Sequence, residues 1–466
     1  MFRRIAYNTA INFGAKIIAT LLGIVSIAVI TRYLGTAGFG HYTTIMAFVQ
    51  FFGILSDFGL TLVTSQLLAK PNANEQKILS NLFTFRFFTA LVFLGIAPLA
   101  VLLFNYSPEV KLGVAVASLS FFFSALCQIF IGFYQTKLLM ARASLAEVGG
   151  RFFLTALVVA AAAYDFGLLG MVIATVAGGL AQLIINYLLS LPLTRLKFSF
   201  DREIWKEIIL LSWPLACTIA LNLIYLKADT IILSLLKSPT EVGLYGASYR
   251  VIDILVALPF ILSGIALPQI TAAFNRRDAA GANQIIQRSF DALAIFALPV
   301  VIGAQFVATP LMILVAGKDF APAGPILQLL VIACGAIYLG AIFSHAVIAV
   351  NKQKKLIPAY FFVAVTALAG YLIFIPRYSY FGAAGITIYS EIMMSLLTFV
   401  VAFYYLKFAP NLKIFFKALT ASLIMAFVLY LFPKLNIFSA LSLAAIAYAA
   451  TLGILIKKEV KQLFNL

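Results

Sequence analysis

Charged residues are scarce in this chain. Only 11% of its 466 residues are Asp, Glu, Lys or Arg, whereas 63% are hydrophobic. A soluble domain carries about 25% charged residues, and the mean hydropathy here is +1.06. The composition therefore excludes an ordinary soluble domain and predicts an all-α polytopic membrane protein, because helices satisfy their own backbone hydrogen bonds in lipid.

Cysteine and histidine are equally sparse. Cys127, Cys217 and Cys334 all lie in apolar runs without metal-ligand spacing, which excludes a disulfide framework. His41 and His345 are isolated, which argues against a histidine-based metal or acid–base site. Nucleophile-elbow, metal-binding and nucleotide-binding motifs are also missing. The sequence therefore predicts that the protein is not an enzyme and needs no cofactor.

What the chain has in abundance is long apolar windows. Each is long enough to cross about 30 Å of hydrocarbon, and the first is predicted to be a retained helix rather than a cleaved signal. They predict fourteen transmembrane helices, at residues 10–31, 43–68, 78–104, 112–136, 146–164, 168–193, 208–236, 242–272, 286–316, 323–350, 356–375, 381–406, 415–432 and 437–456.

The basic residues follow the topology of these windows. If both termini are cytoplasmic, most of the 33 Lys and Arg residues fall in cytoplasmic segments, Arg142 and Arg151 among them. The net charge of +17 is then a consequence of topology. Nucleic acid is accordingly not a predicted partner.

A long-range repeat divides the chain. The pattern F-G-x-x-G opens predicted helices six and twelve, at Phe166 and Phe381, and G-x-Y precedes helices two and eight, at Gly40 and Gly243. An even number of helices per repeat predicts two six-helix lobes related by a pseudo-two-fold axis along the membrane normal. The predicted domains are lobe 1–194, lobe 195–407, and residues 408–466 with helices thirteen and fourteen.

Several charges fall inside predicted spans, where each costs roughly 2.5–3.5 kcal/mol at a helix centre. Most of them lie on helices one, two, seven and eight, which predicts a polar zone between the two halves. On helix seven, Asn222 and Asp229 share one face, whereas Lys227 lies opposite and has no explanation. The charges are Lys16, Asp57, Arg86, Lys227, Asp229, Arg250, Asp253 and Glu391.

Each of these charges also has a structural interpretation. Arg250 and Asp253, three residues apart, could neutralise one another as a packed pair. Lys16 and Arg86 could extend to lipid headgroups. Arg32, at the predicted outer end of helix one, is equally an interfacial anchor or a ligand contact. These alternatives remain open at the level of sequence.

Two segments resemble a known family. "ITRYLGTAGFGHYTTIMAFVQFFGILSDFGL" and "KADTIILSLLKSPTEVGLYGASYRVIDILVALPFILSGIALPQI" are similar to the Wzx-like polysaccharide flippases of the MOP (multidrug/oligosaccharidyl-lipid/polysaccharide) exporter superfamily. The resemblance implies a V-shaped fold of two six-helix lobes plus two further helices. It also implies alternating access in the bacterial inner membrane. The cargo would be polyprenyl-diphosphate-linked oligosaccharide repeat units, carried to the periplasmic leaflet for O-antigen, capsule or exopolysaccharide.

The resemblance also implies roles for individual residues. Arg250 occupies the place of a basic helix-eight residue that contacts the substrate diphosphate in the family. Asp253 and Asp229 would orient Arg250, or hold it in a salt bridge until substrate or a cation competes. The predicted substrate-binding set is Arg250, Asp253, Asp229, Asn222, Lys16, Asp57, Arg86, Lys227 and Arg32. The predicted ion-coupling carboxylates, for a proton or sodium, are Asp57, Asp229, Asp253 and Glu391. Membrane lipids and polysaccharide polymerase machinery are the further predicted partners.

Three alternatives compete with this prediction. A cation-coupled multidrug exporter of the same superfamily would suit the acidic residues, because the family's cavities are often net cationic and this one is predicted to be balanced. Against it, the arginine in helix eight would repel cations. A peptidoglycan-precursor flippase is a nearer relative. A membrane-embedded glycan polymerase or ligase would normally display a larger external domain than this chain offers.

Overall fold

The computed structural model describes residues 2–57, 59–68, 74–137, 139–433 and 435–464. Within these ranges, side chains are described except at residues 2–13, 61, 62, 65, 66, 214, 215, 217, 218, 222, 224–226 and 458–464. The predicted side-chain role of Asn222 therefore lies outside the described residues.

The described residues form helices and no strand. In chain order the α-helices are α1 (Phe2–Asp57), α2 (Leu60–Leu68), α3 (Glu75–Ala100), α4 (Pro108–Thr136), α5 (Met140–Ala163), α6 (Gly167–Ser190), α7 (Arg202–Leu236), α8 (Pro239–Asn275), α9 (Ala279–Ala316), α10 (Ala323–Ala349), α11 (Ile357–Leu406), α12 (Lys413–Leu431) and α13 (Ile437–Phe464).

Two of these helices are too long for one membrane crossing and are broken in the middle. At 1.5 Å per residue, the 56-residue α1 would extend about 80 Å. Gly35 interrupts it with φ 64°, a left-handed conformation that glycine adopts without a Cβ clash. Ser379, with φ 51°, interrupts the 50-residue α11 in the same way. The predicted second helix is therefore found as the second part of α1 followed by α2.

The predicted number of membrane crossings is confirmed. Eleven described helices contain an apolar stretch long enough to span a membrane. Two of the eleven, α1 and α11, make two passes each, and the 35-residue α7 adds one more. The described part of the chain therefore contains fourteen crossings, as the apolar windows predict.

The chain divides into two compact units, residues 1–243 (unit 1) and 244–466 (unit 2). In unit 1, α1 packs on α3, α4, α5 and α7, and α6 packs on α4 and α5. In unit 2, α10 packs between α9 and α11, and α12 packs on α9 and α13. The lobe boundaries predicted at residues 194 and 407 stay a prediction.

A structured connection attaches α7 to unit 1. The Asp201 carboxylate caps α7 by accepting hydrogen bonds from the backbone N–H groups of Glu203 (3.0 Å) and Ile204 (3.2 Å). Lys77 of α3 pairs with the same carboxylate at 2.5 Å. The Lys77 hydrogen bond and the helix N–H groups together hold the pKa of Asp201 below its ordinary value.

The predicted repeat appears as an equivalent contact within each unit. Tyr42, in the second part of α1, hydrogen-bonds with the hydroxyl of Thr175 on α6 at 3.1 Å. Tyr245, its counterpart on α8, hydrogen-bonds with the hydroxyl of Thr387 on α11 at 3.4 Å. Each repeated tyrosine thus connects to the helix that opens with the repeated F-G-x-x-G pattern.

The two repeated glycines, Gly40 and Gly243, meet backbone to backbone in unit 1. A Cβ on Gly40 would lie 1.7 Å from the carbonyl oxygen of Pro239, and a Cβ on Gly243 would lie 2.0 Å from that of Thr36. The contact is reciprocal, because each glycine meets the carbonyl four residues before the other. Any side chain at either position would separate the second part of α1 from the start of α8.

Candidate functional site

A line of polar contacts joins α1 to α5 inside unit 1; we call it the α1–α5 seam. The ammonium of Lys16 bonds both carboxylate oxygens of Glu147, at 2.9 and 3.1 Å. About two turns further along α5, the hydroxyls of Ser26 and Thr155 hydrogen-bond at 2.8 Å. Between these two contacts lies Arg151, so the seam is polar along about three turns of α1 and about two turns of α5.

Arg151 occupies the middle of the seam because α1 has a glycine opposite it. The guanidinium Nη1 lies 3.9 Å from the position that a Cβ on Gly23 would take. The side chain makes no ion pair and no hydrogen bond within the described residues. Lys16 and Glu147 have exposed side-chain fractions of 52% and 28%, and Arg151 is also exposed.

The sequence prediction places Glu147 and Arg151 at the start of the window 146–164, counts Arg151 with the cytoplasmic segments and names neither as a site residue. This cytoplasmic position for Arg151 is wrong, because Arg151 lies within the candidate membrane span Met140–Ala163. The helix starts at Met140, so Arg151 is its twelfth residue of 24. A usable signal was present, since Ser144, Glu147, Arg151 and Thr155 follow helical steps of three and four.

The seam borders a polar cavity of about 340 Å³, here called the seam cavity. Its walls come from α1, α4, α5 and α6. The lining combines charged groups, primary amides and hydroxyls with glycines that leave space between the helices. The principal lining residues are Lys16, Ser120, Ser124, Gln128, Glu147, Gly150, Arg151, Thr175, Gly178 and Gln182.

Asp57 and Arg86, both predicted to bind substrate, form a closed structural group in unit 1. Arg86 Nη1 lies 2.8 Å from the Asp57 carboxylate and donates to the Asp57 carbonyl at 2.8 Å. Its Nε donates to the Ala125 carbonyl of α4 at 3.1 Å. With 2% exposure, the guanidinium does not reach a headgroup. It caps the C-terminus of α1, where a positive charge is favourable.

The α7 residues differ in their surroundings. Asp229 is fully buried, and its carboxylate accepts a hydrogen bond from the backbone N–H of Thr230 at 2.6 Å. Lys227 is half-buried. The predicted partner on the same stripe, Asn222, has a side chain outside the described residues. The α7 stripe as a binding surface therefore stays a prediction.

Arg250 and Asp253 of α8 are both accessible in unit 2. Their nearest charged atoms, Nη1 and Oδ2, are 3.8 Å apart, and the exposed side-chain fractions are 35% and 47%. At this distance and exposure the pair is weak, because water competes for both charges. A compact mutually neutralised pair would be shorter and more buried, so the geometry leaves the guanidinium open to a ligand.

The two remaining predicted residues lie apart from these groups within their own units. Glu391 is 6% exposed on α11. Arg32, near the break in α1, is exposed, and its Nη1 donates to the Ala28 carbonyl of its own helix at 3.1 Å. Among the described residues, no group of three or more His, Cys, Asp or Glu side chains could hold a metal ion.

The comparisons with known proteins place these features in a family. The family model "Polysaccharide biosynthesis protein" matches residues 5–274. No curated protein matches the sequence. Among solved structures, a lipid II flippase MurJ in an inward closed conformation has a TM-score of 0.79 at 17% identity, over 96% of this chain and 99% of that one.

Two further structures share the fold. An inward-facing multidrug resistance MATE family transporter of the MOP superfamily gives a TM-score of 0.69 at 15% identity, over 84% of this chain and 94% of that one. A MOP superfamily transporter from Pyrococcus furiosus, described as having a reversed polarity of its binding pocket, gives a TM-score of 0.58 at 14% identity, over 87% of this chain and 95% of that one.

Likenesses at these identities show the fold alone, and they confirm the predicted superfamily fold. The family match covers more than half of the chain, so this multi-pass membrane protein belongs to the polysaccharide biosynthesis protein family, the Wzx-like family that its sequence resembles.

Proposed function

We propose that this protein moves polyprenyl-diphosphate-linked oligosaccharide repeat units from the cytoplasmic to the periplasmic leaflet by alternating access. The cargo would supply a surface polysaccharide such as O-antigen, capsule or exopolysaccharide, and polymerase machinery would receive it. The membrane would be the bacterial inner membrane. The distribution of Lys and Arg supports cytoplasmic positions for both termini.

Arg250 carries this proposal. A guanidinium on a membrane-spanning helix is costly unless it serves a ligand or a partner. Its side chain is 35% exposed, and the distance of 3.8 Å from its Nη1 to the Asp253 carboxylate is long for an ion pair. Arginine presents a planar array of donors that matches two phosphate oxygens. The diphosphate of the carrier lipid would displace the weakly held carboxylate and take its place.

The carboxylates of Asp253 and Asp229 would then have separate tasks. Asp253 is accessible, so it would hold Arg250 between cycles and exchange for the diphosphate or a cation. Asp229 is fully buried and already bonded to Thr230, so it would shape α7 or take up a proton or sodium ion. Ion coupling through Asp57, Asp253 or Glu391 belongs to the same proposal.

The test uses cells that lack the protein. Polyprenyl-diphosphate-linked sugars are labelled with a membrane-impermeant probe on intact spheroplasts and on inverted vesicles. We expect accumulation on the cytoplasmic face, relieved by the wild-type protein but not by Arg250→Ala. Arg276→Ala, at an exposed position just after the end of the same helix, is the matched control and should restore transport. Full transport by a correctly inserted Arg250→Ala protein would eliminate the role of Arg250.

A cation-coupled multidrug exporter is the second candidate, favoured by the 47% exposed carboxylate of Asp253. The same cells separate the two functions. An exporter predicts increased sensitivity to cationic dyes without accumulation of lipid-linked sugar. A flippase predicts the reverse pattern. A flippase for the peptidoglycan precursor would instead accumulate that lipid, which its mass identifies.

A further inference from the structure

We propose that the seam cavity of unit 1 binds an anionic sugar group of the transported glycan, with Arg151 as its charge contact. The ligand chemistry is a carboxylate or a phosphate attached to a pyranose ring. A carboxylate would come from an acidic sugar within the repeat unit. A phosphate would come from the junction between the first sugar and the diphosphate. This inference rests on the proposed function and names the part of the substrate that unit 1 holds.

The position of Arg151 requires a polar occupant nearby. As the twelfth of 24 residues in α5, it is about 16–18 Å along the helix from either end, too far for its side chain to reach a headgroup. The side chain is nevertheless exposed. Because an arginine facing hydrocarbon at this depth is strongly unfavourable, the exposed face must border a water-filled space.

The guanidinium also keeps its donors available. Glu147, one turn earlier on α5, is bonded through both oxygens to Lys16 of α1. Arg151 itself has no ion pair and no side-chain hydrogen bond in the part of the chain that the structure describes. With Lys16 and Glu147 neutralising one another, Arg151 leaves one positive charge in excess. An anion with two oxygens would satisfy the guanidinium in the bidentate geometry that it favours.

The remaining lining suits the hydroxyls of a sugar. Ser124, Gln128 and Gln182 make no side-chain hydrogen bond among the described residues. A primary amide both donates and accepts, and a hydroxyl does the same, so these groups complement the alternating donors and acceptors of a pyranose ring. The volume of about 340 Å³ lies near the lower end of the range for small-molecule sites, about 300–1,000 Å³. The cavity therefore fits one sugar rather than a whole repeat unit.

The first experiment measures binding to the purified full-length protein. The probes are glucuronate, glucose 1-phosphate and glucose, and the proteins are wild type, Arg151→Gln, Arg151→Lys and the control Arg276→Gln. We expect the anionic sugars to bind about 10- to 100-fold more tightly than glucose, as hydrogen bonds to a charged group provide. Arg151→Gln should lose this preference, Arg151→Lys should retain part of it, and the control should retain all of it.

The comparison of the two anionic probes identifies the source of the charge. Tighter binding of glucuronate assigns the cavity to an acidic sugar, and tighter binding of glucose 1-phosphate assigns it to the diphosphate junction. Equal binding of all three sugars to the wild type would overturn the inference. An anion preference that persists in Arg151→Gln would overturn it as well.

A structural role for Arg151 makes a different prediction. Removing an unpaired charge from a membrane-spanning helix should leave the thermal midpoint of the unliganded protein unchanged or higher. A marked fall in that midpoint for Arg151→Gln would mean that the side chain holds the fold together, and the inference would fail.

If Arg151→Gln binds anionic sugars normally while Arg250→Ala still blocks transport, the proposed function stands and this inference alone is refuted. If lipid-linked sugar never accumulates, the proposed function fails, whatever the cavity binds.

Discussion

Arg86 provides the sharpest test of whether an intramembrane charge is structural or functional. Its guanidinium is 2% exposed and satisfies the carbonyls of Ala125, Ser56 and Asp57 together with the Asp57 carboxylate. Replacing it by methionine removes all of these bonds while keeping an unbranched side chain. The Asp57 carboxylate, 25% exposed, would then lose its counter-charge.

The expected loss follows from the burial of the pair. Breaking a buried ion pair by removing one partner costs about 3–5 kcal/mol, because the other charge stays uncompensated. Asp57 retains some solvent contact, so we expect Arg86→Met to cost about 3 kcal/mol. Replacing both partners removes the stranded charge, so the double variant Arg86→Met/Asp57→Asn should recover part of this loss.

The assay compares stability with transport for matched arginine variants. Denaturant unfolding of the purified protein gives the change in free energy, and the spheroplast assay gives transport per folded molecule. Arg250→Met should change the free energy of unfolding by less than about 1 kcal/mol, because its pair is long and accessible. If Arg86→Met unfolds like the wild type but loses transport, then Arg86 contacts substrate and our structural reasoning is refuted.

Two further predictions address packing and pH. Gly40→Ala should destabilise unit 1 by about 1–3 kcal/mol through overpacking, because its Cβ would meet a carbonyl oxygen 1.7 Å away. Gly95→Ala is the control: an added Cβ there meets no atom within 4 Å, so the substitution should be neutral or stabilising by up to about 1 kcal/mol. Both free energies are measured by urea unfolding, and equal effects of the two substitutions would contradict the close contact at Gly40. The lowered pKa of Asp201 means that its ion pair with Lys77 stabilises fully above the ordinary value of about 3.9 and is lost as pH falls through the lowered pKa. In a variant with the second tryptophan replaced, the fluorescence of Trp205 should change as this ion pair is lost at low pH. The change should be absent in Asp201→Asn, and an unchanged transition in that variant would assign it to another group.

The sequence alone determined the class of the protein and most of its helices. Hydropathy is a local property, and a window of about 20 apolar residues has one stable solution in lipid, so the number of crossings followed without tertiary information. The repeat was also visible in the sequence, because Gly40 and Gly243 each stand two residues before a tyrosine. The equivalent hydrogen bonds of those tyrosines came from the structure. The start of helix five was misplaced because charged residues at its beginning lowered the apolar signal.

Only the tertiary structure decided which charges meet. Helical spacing places Lys16, Asp57 and Arg250 on faces of their helices, but it does not say which helix lies opposite each face. The structure pairs Lys16 with Glu147 and Asp57 with Arg86, so three residues predicted to bind substrate, Lys16, Asp57 and Arg86, are held by partners within unit 1. Arg151 has no ion pair among the described residues: Gly23 leaves space across from it, and Lys16 bonds the carboxylate of Glu147, one turn away on α5. Whether a guanidinium is available for a ligand depends on which carboxylates the packed helices bring near it and which of these already have partners. The spacing of residues along the sequence does not contain that information.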